Sequence, residues 1–368
     1  MQRVLVLNAG SSSLKWIVLD ASTEESQEQG TATWQGAEGG RHEQELAQAL
    51  RDLPDVEAVG HRVVHGGLDF REAVEVDEAV RARIVDLSEL APLHNPAAVA
   101  GLDAARARFP RAHQVAAFDT AFHATLPDEV SHYPLPWEWT VRWGLRRFGF
   151  HGLSVEYAVT RAAELLGHAS TRMVVCHLGA GCSVTAVANG RSVDTSMGFT
   201  PLEGVMMARR SGSVDPGLLL YLLDRERLSS ADLDHGLNEQ AGLVGVSGVS
   251  ADMREVLAAE VAGNVRARLA VAMFVNRVVA TIGAMTAALG GLDTLVFTGG
   301  IGEHSAPIRA RVVAALGYLG ARLDRHANEL AANDVDVATS DSGIRILIIA
   351  AREDLTILRH VKRVLGWS

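Results

Sequence analysis

Cysteine is nearly absent from this 368-residue chain. Cys176 and Cys182 are too few for a disulfide framework, and they lack the second pair that a structural zinc site wants. Lysine is as scarce: among 34 basic residues Lys15 and Lys362 stand alone. A lysine here reads either as mutational noise or as a place that needs a compact ammonium rather than a planar fork. A basic surplus is missing too, since 44 acidic residues against 34 basic ones give a net charge of -10, which excludes the electrostatic footprint of a nucleic-acid binder. No run of about 20 uninterrupted apolar residues exists to span a bilayer, because Arg268, Asn276 and Arg277 break the stretch 267–288. The opening MQRVLVLNAG enters a strand pattern with no apolar h-region, so no secretory leader is expected. These absences predict a cytoplasmic protein with neither membrane nor nucleic acid as partner.

What remains is ordinary for a globular chain, with 48% hydrophobic and 21% charged residues and a length that favours two domains or one large α/β unit. Apolar, β-branched runs at 4–7 and 16–19 flank NAGSSSLK and predict strand, tight turn, strand. Residues 22–42 read as an exposed hairpin or loop, and a helix follows from Glu43 to Leu53. Further strands are expected at 56–65 and 114–118, with helices near 77–90 and 96–108. The opening pattern then returns: 173–176, HLGAGCS and 184–187 again read as strand, glycine turn, strand, with Gly179 opposite Gly10 and Cys182 opposite Ser13. Two related α/β halves are one reading and two ordinary hairpins the other. A third glycine-rich turn, TGGIGEH, follows the strand 294–297 and precedes the helical SAPIRARVVAAL.

Three glycine turns after strands suit a ligand that approaches backbone closely, and exposed N–H groups in such turns suit phosphate. Neither a Walker A sequence nor GxGxxG is present, so a P-loop or dinucleotide fold is disfavoured. Ser11 and Ser13 can donate to phosphate oxygens, Lys15 can neutralise one, and Asn8 can hold a metal-bound water; a serine-rich turn beside a solvated lysine is the plainer account. In HRVVHGG, period two puts Arg62 and Val64 on one strand face. That suits a small carboxylate with a short apolar tail, or else an edge arginine in a surface pair. Asp119, after an apolar run, stands where α/β active sites gather or where a helix is capped, with His123 four residues on. His151 lies between glycines in GFHG. The segment 195–216 has little periodicity, as functional loops do, and its Arg209 and Arg210 suit an anion. Glu353 and Asp354 follow the apolar strand 345–349, a setting that suits Mg²⁺ or a helix N-terminus.

In order, VLVLNAGSSSLK, AVGHRVVHGG, ELAPLHNP, FDTAFH, RRFGFHG, CHLGAG, DTSMGFTPLEG, GSVDP, GVSGVSADMRE, FTGGIGEHS and REDL resemble the acetate kinase (acetokinase) family over almost the whole chain. The resemblance implies a sugar kinase/Hsp70/actin-type α/β fold: two duplicated RNase H-like domains with a nucleotide cleft between them. It places an acyl-substrate domain at 1–147, with the helix 355–368 packed on it, and a nucleotide-binding domain at 148–354. It implies reversible, direct in-line transfer of phosphate from ATP to acetate, with Mg²⁺ or Mn²⁺ as cofactor and a homodimer as the assembly. Residue by residue, Asn8 and Glu353 would hold the metal, and Arg62, Val64, Leu93, Phe150 and Pro201 the acyl group. Asp119, His151 and Arg210 would be catalytic. Ser11, Ser13, Lys15, His177, Leu178, Gly179, Ala180, Gly181, Asp252, Met253, Arg254, Gly300, Ile301, Gly302, Glu303 and His304 would line the nucleotide.

The chain departs from the family pattern at four positions. Ala180 stands where asparagine is expected, Val155 where histidine is, His304 where asparagine is usual, and Arg209 where a small or polar residue is. The chain is also shorter than usual within 22–53. Other readings are a propionate or short-chain acyl kinase, a pyrophosphate-dependent enzyme, and a nucleotide-binding regulatory protein without transfer activity.

Overall fold

The computed structural model describes residues 2–9, 13–33, 41–92, 94–224, 227–332 and 334–368. The chain divides into two compact units, one of Met1–Ala124, Phe150–Tyr157 and Arg352–Ser368, the other of Thr125–Gly149 and Ala158–Ala351.

The first unit is built on strands β1 (Arg3–Ala9), β2 (Ser13–Asp20), β3 (Ser26–Thr33), β4 (Ala58–Val63), β5 (Val74–Glu75) and β6 (His113–Phe118), in the order β3-β2-β1-β4-β6-β5. β1, β4 and β6 run parallel, and β2, β3 and β5 are antiparallel to their neighbours. The central strands are apolar nearly throughout because helices cover both faces, as parallel strands require. One core packs Leu5, Leu7, Leu14, Val18 and Val59 against Leu46, Leu50 and Phe109. Another packs Val63 and Phe118 against Phe70, Ile84 and Leu102, with the Phe70 and Phe118 rings stacked at 4.6 Å. The C-terminal helix Glu353–Leu365 lies on β4. A Cβ on Gly60 would meet the Ile357 side chain at 2.5 Å, so only glycine lets that helix approach so closely. Residues 26–33, expected as hairpin or loop, form the exposed edge strand β3, which its polar side chains suit.

The second unit contains β7 (Arg172–Leu178), β8 (Cys182–Ala188), β9 (Arg191–Thr195), β10 (Thr294–Thr298), β11 (Val335–Asp336) and β12 (Arg345–Ile348). Its order, β11-β12-β10-β7-β8-β9, is that of the first sheet with each strand replaced by its counterpart. β7, β10 and β12 are parallel, and β8, β9 and β11 antiparallel. The internal repeat expected from two glycine hairpins therefore extends to whole sheets. The register corrects one detail. Ala9 pairs with Leu14, whereas Leu178 pairs with Cys182, so the second hairpin is one residue tighter and Cys182 is the counterpart of Leu14, not of Ser13.

The helix Val265–Leu289 is long and apolar enough, by length and composition, to cross a membrane. In this fold it buries Ala267, Ala270, Val271, Phe274, Val278 and Ile282 against β7, β8 and β9, as a core helix does. The Asn264 side chain caps its first turn by accepting from the Ala267 N–H, and Gly290 ends it at φ 66°.

Candidate functional site

In the first unit the parallel strands deliver three polar side chains to their C-terminal ends, the edge at which α/β sheets bind ligands. Asn8 comes from β1, Arg62 from β4, and Asp119 directly follows β6. Arg62 donates from Nε and Nη2 to the two carboxylate oxygens of Asp119, at 3.0 and 2.6 Å, and from Nη1 to Asn8 Oδ1 at 3.2 Å. Glu353, at the start of the C-terminal helix, lies 3.5 Å from Arg62 Nε. The Asp119 side chain is 1% exposed and that of Arg62 19%. Burial works against the guanidinium charge, but the Asp119 and Glu353 carboxylates outweigh it and hold its pKa above the ordinary range. Three of a guanidinium's five N–H groups are thus engaged, which leaves one on each terminal nitrogen for an anion. Val64, half-buried, lies just past the end of β4, two residues beyond Arg62. Lys15 is exposed and pairs with Asn8 across β1 and β2, which puts both side chains on one face. Ser11 and Leu93 lie outside the described residues.

His151 belongs to the same unit and sits at φ 59°, a conformation that costs a non-glycine residue about 1–3 kcal/mol unless its surroundings enforce it. They do so on both sides. The Phe150 carbonyl lies 3.0 Å from His123 Nε2; a carbonyl can only accept, so that nitrogen carries the proton. Beyond His151, the Gly152 N–H donates to the Asp119 carbonyl at 2.8 Å. A Cβ on Gly152 would stand 2.2 Å from that oxygen, so the residue must be glycine. The buried ring of His65 meets Phe150 edge-on at 5.5 Å. The carboxylate and the imidazole are thereby fixed to one backbone clasp, of which FDTAFH supplied the clue in His123.

Burial pushes the pKa of His123 down to about 4, and that of His61, bonded to Gln114, likewise to about 4. Both are therefore neutral in the fold, while their unfolded counterparts take up protons below about pH 6.5. Stability from each is complete above that pH and is lost as pH falls toward 4. His123→Gln should accordingly lose about 2–3 kcal/mol less stability than the parent between pH 7 and pH 4.5, read from urea unfolding. Equal losses would show that His123 is not held neutral.

The second unit carries a cleft of about 990 Å³, at the upper end of small-molecule sites. Gly179, Ala180, Gly181, Arg210, Asp252, Met253, Arg254, Gly300, Ile301 and His304 line it, so most of the residues expected around a nucleotide converge there. Leu178, Gly302 and Glu303 are buried, and His177 is half-buried on β7. None of these four lines the cleft. Glu303 accepts instead from the Ala351 N–H at 3.0 Å. The segment expected as a glycine turn, TGGIGEH, becomes a short helix at once, Gly299–His304. Buried Arg309 fixes its end by donating to the Gly302 and Glu303 carbonyls at 2.9 and 2.7 Å and to Asn328 Oδ1 at 2.7 Å. Burial lowers the Arg309 pKa to about 10. Nothing in the local sequence of Arg309 marks this role.

Residues 196–215 contain no helix or strand, yet they are held throughout. Arg147 donates to the carbonyls of Thr195, Ser196 and Met197 at 3.1, 3.3 and 3.0 Å, and to Glu203 at 2.7 Å. The Tyr133 hydroxyl donates to Glu203 and accepts from the Phe199 N–H. Arg210, whose pKa burial lowers, reaches the Pro201 carbonyl at 3.4 Å. Sequence reasoning missed Asn238, Glu239, Leu257, Ser305 and Pro307 on the cleft wall, because isolated polar or apolar positions on and between helices carry no motif. Among the described residues no cluster of three or more His, Cys, Asp or Glu could hold a metal alone. Asn8 and Glu353 nonetheless supply oxygen donors around Arg62, which suits a cation that prefers one or two carboxylates, waters and phosphate oxygens.

Residues 42–359 match the model of the acetokinase family. An acetate kinase of Nostoc punctiforme (strain ATCC 29133 / PCC 73102) is 52% identical over 315 residues, covering 85% of this chain and 78% of that relative. The crystal structure of Porphyromonas gingivalis acetate kinase superposes with a TM-score of 0.91 at 36% identity, covering 99% of this chain and 100% of that one. A propionate kinase from Francisella tularensis subsp. tularensis SCHU S4 gives 0.90 at 36%, with 98% and 99% covered. With the duplicated sheets and the converging site residues, this match over most of its length makes the chain a member of the acetokinase family.

Proposed function

We propose that this protein transfers the terminal phosphoryl group of ATP to the carboxylate of acetate, giving acetyl phosphate and ADP, and that it catalyses the reverse reaction. The observation that carries the reading is Arg62. Its guanidinium is fixed by Asp119 and Asn8 and keeps one N–H on each terminal nitrogen for a carboxylate; Val64, two residues on, would meet the short apolar tail. Phe150, of the same unit, would add to the acyl pocket.

An acyl carboxylate is ionised at pH 7 and needs no base; what opposes transfer is repulsion between two anions as the carboxylate oxygen bonds to phosphorus and the bridging oxygen departs with ADP. Catalysis is then positioning plus positive charge on the equatorial phosphoryl oxygens. Arg62 orients the nucleophile, while His151 and Arg210 stabilise the transition-state charge. Asp119 fixes Arg62 and, through its carbonyl, the His151 backbone. Asn8 and Glu353 would hold Mg²⁺ or Mn²⁺, which supplies further neutralisation of phosphate charge when bound. Lys15, with Ser11 and Ser13, would meet phosphate, and the cleft at Gly179 to Gly181, Gly300, Ile301 and His304 the nucleotide. The open wall at Gly300 and Ile301 favours ATP over pyrophosphate as donor.

A homodimer in the cytoplasm is the accompanying reading. Exposed Val265, Leu269 and Met273 form an apolar stripe on one helix that supports self-association, and the two free buried cysteines suit a reducing compartment. Propionate is the second acceptor to consider, because one related structure is a propionate kinase and Val64 is small.

The test is acyl-hydroxamate formation by purified protein with Mg²⁺, crossing acetate, propionate and butyrate against ATP and pyrophosphate. Product with acetate and ATP is expected; silence in every well from folded, ATP-binding protein would overturn the reading in favour of a regulatory role. Val64→Ala should shift the acetate-to-butyrate ratio of kcat/KM toward butyrate by about tenfold, the worth of one or two methylenes. An unmoved ratio would take Val64 out of the pocket.

A further inference from the structure

Arg209 is an exposed arginine on the wall of the second unit's cleft. Of the cleft's other arginines, Arg254 forks Asp252 at 2.5 and 3.1 Å, and part-buried Arg210, which reaches the Pro201 carbonyl at 3.4 Å, is the one assigned above to the transferring phosphoryl group. Among the described residues no carboxylate pairs with Arg209. Its backbone is nevertheless held in place. The Ala208 N–H donates to the Ala180 carbonyl at 3.2 Å, the Met207 N–H to the Arg210 carbonyl at 3.1 Å, and the Val244 N–H to the Ala208 carbonyl at 3.1 Å. The turn that carries Arg209 is therefore bonded directly to the glycine turn Gly179–Gly181, whose middle residue offers the cleft only an exposed methyl.

We infer that Arg209 grips the terminal phosphates of the nucleotide and supplies, from the neighbouring turn, the polar contact that Ala180 cannot make. The physical case is a fixed backbone, an unpaired planar cation suited to bidentate phosphate recognition, and an adjoining glycine turn, Gly179–Gly181, that can meet phosphate with backbone alone. This rests on the ATP reading above and names what sets donor affinity within it.

The experiment measures binding of ATP, ADP and AMP to the full-length chain by calorimetry, for the parent, Arg209→Ala, Arg209→Lys and Arg209→Ala with Ala180→Asn. A charge-assisted contact predicts about tenfold or greater loss of ATP affinity in Arg209→Ala. AMP should bind unchanged, lysine should retain part of the affinity, and the asparagine should recover part of the loss. Raising salt should narrow the difference between parent and variant. Unchanged ATP affinity overturns the inference; so does an equal loss for ATP and AMP, which would mean that Arg209 only shapes the cleft or touches the nucleoside. Parent protein that makes no hydroxamate from acetate and ATP would remove the donor reading itself, whereas an active parent with an indifferent Arg209→Ala removes this inference alone.

Discussion

Arg210→Ala is expected to lower turnover about a thousandfold while leaving ATP affinity within a few-fold of the parent, since an arginine on transferring phosphoryl oxygens contributes about 10³–10⁵ in kcat. The structure says why binding should survive. Among the described residues the one bond from the Arg210 side chain runs to the Pro201 carbonyl at 3.4 Å, longer than a good N–H···O bond, and the segment that carries it is held by Arg147, Tyr133 and Glu203. Burial lowers the Arg210 pKa, with Glu239 and Cys182 opposing. A guanidinium kept partly desolvated without a tight partner is poised to gain from negative charge that develops late. Lysine at this position should recover little, because an ammonium cannot bridge two oxygens in one plane. The measurement is kcat and ATP Kd side by side; a loss confined to Kd would make Arg210 a ground-state anchor and leave transition-state charge to others.

Much of this was legible in the sequence, for reasons that differ by element. The parallel strands were readable because each is buried on both faces and so is a short apolar run: Val4–Leu7, Met173–Cys176 and Thr294–Phe297. The duplication was readable at its glycine hairpins but not at β5 and β11, each two residues long, where no periodicity can show. Edge strand β3 was hidden for the opposite reason: its polar, exposed residues look like a loop, and backbone pairing with β2 decides its state. At the site, chemistry-bearing residues at strand ends stood out, whereas their supports did not. Arg147 acts on carbonyls distant along the chain and Arg309 on those of Gly302, Glu303 and Asn328, and a guanidinium that serves backbone is indistinguishable in sequence from one that faces water. His123 was visible only as a neighbour of Asp119, because its partner is the Phe150 carbonyl and tertiary structure alone brings that within reach.

Arg62→Met should cost about 3–5 kcal/mol of stability and abolish acetate use, because it leaves the carboxylate of Asp119 buried without its guanidinium. The reciprocal change is milder. In Asp119→Asn, Arg62 keeps Glu353 at 3.5 Å and Asn8 at 3.2 Å, and its side chain is 19% exposed against 1% for Asp119, so water can take up part of its charge. Stability and chemistry then separate in the double variant. Arg62→Met with Asp119→Asn removes both charges and, as neutral replacements of buried pairs commonly do, should regain most of the stability lost by Arg62→Met alone. It should regain none of the activity with acetate, since no N–H fork remains to receive the acyl carboxylate. Urea unfolding and hydroxamate assays on the three variants decide the matter. A double variant as unstable as Arg62→Met would mean that the guanidinium's packing, not its charge, supports the first sheet's edge. One that still phosphorylates acetate would take Arg62 out of the acyl site, and with it the observation on which the assignment of substrate rests.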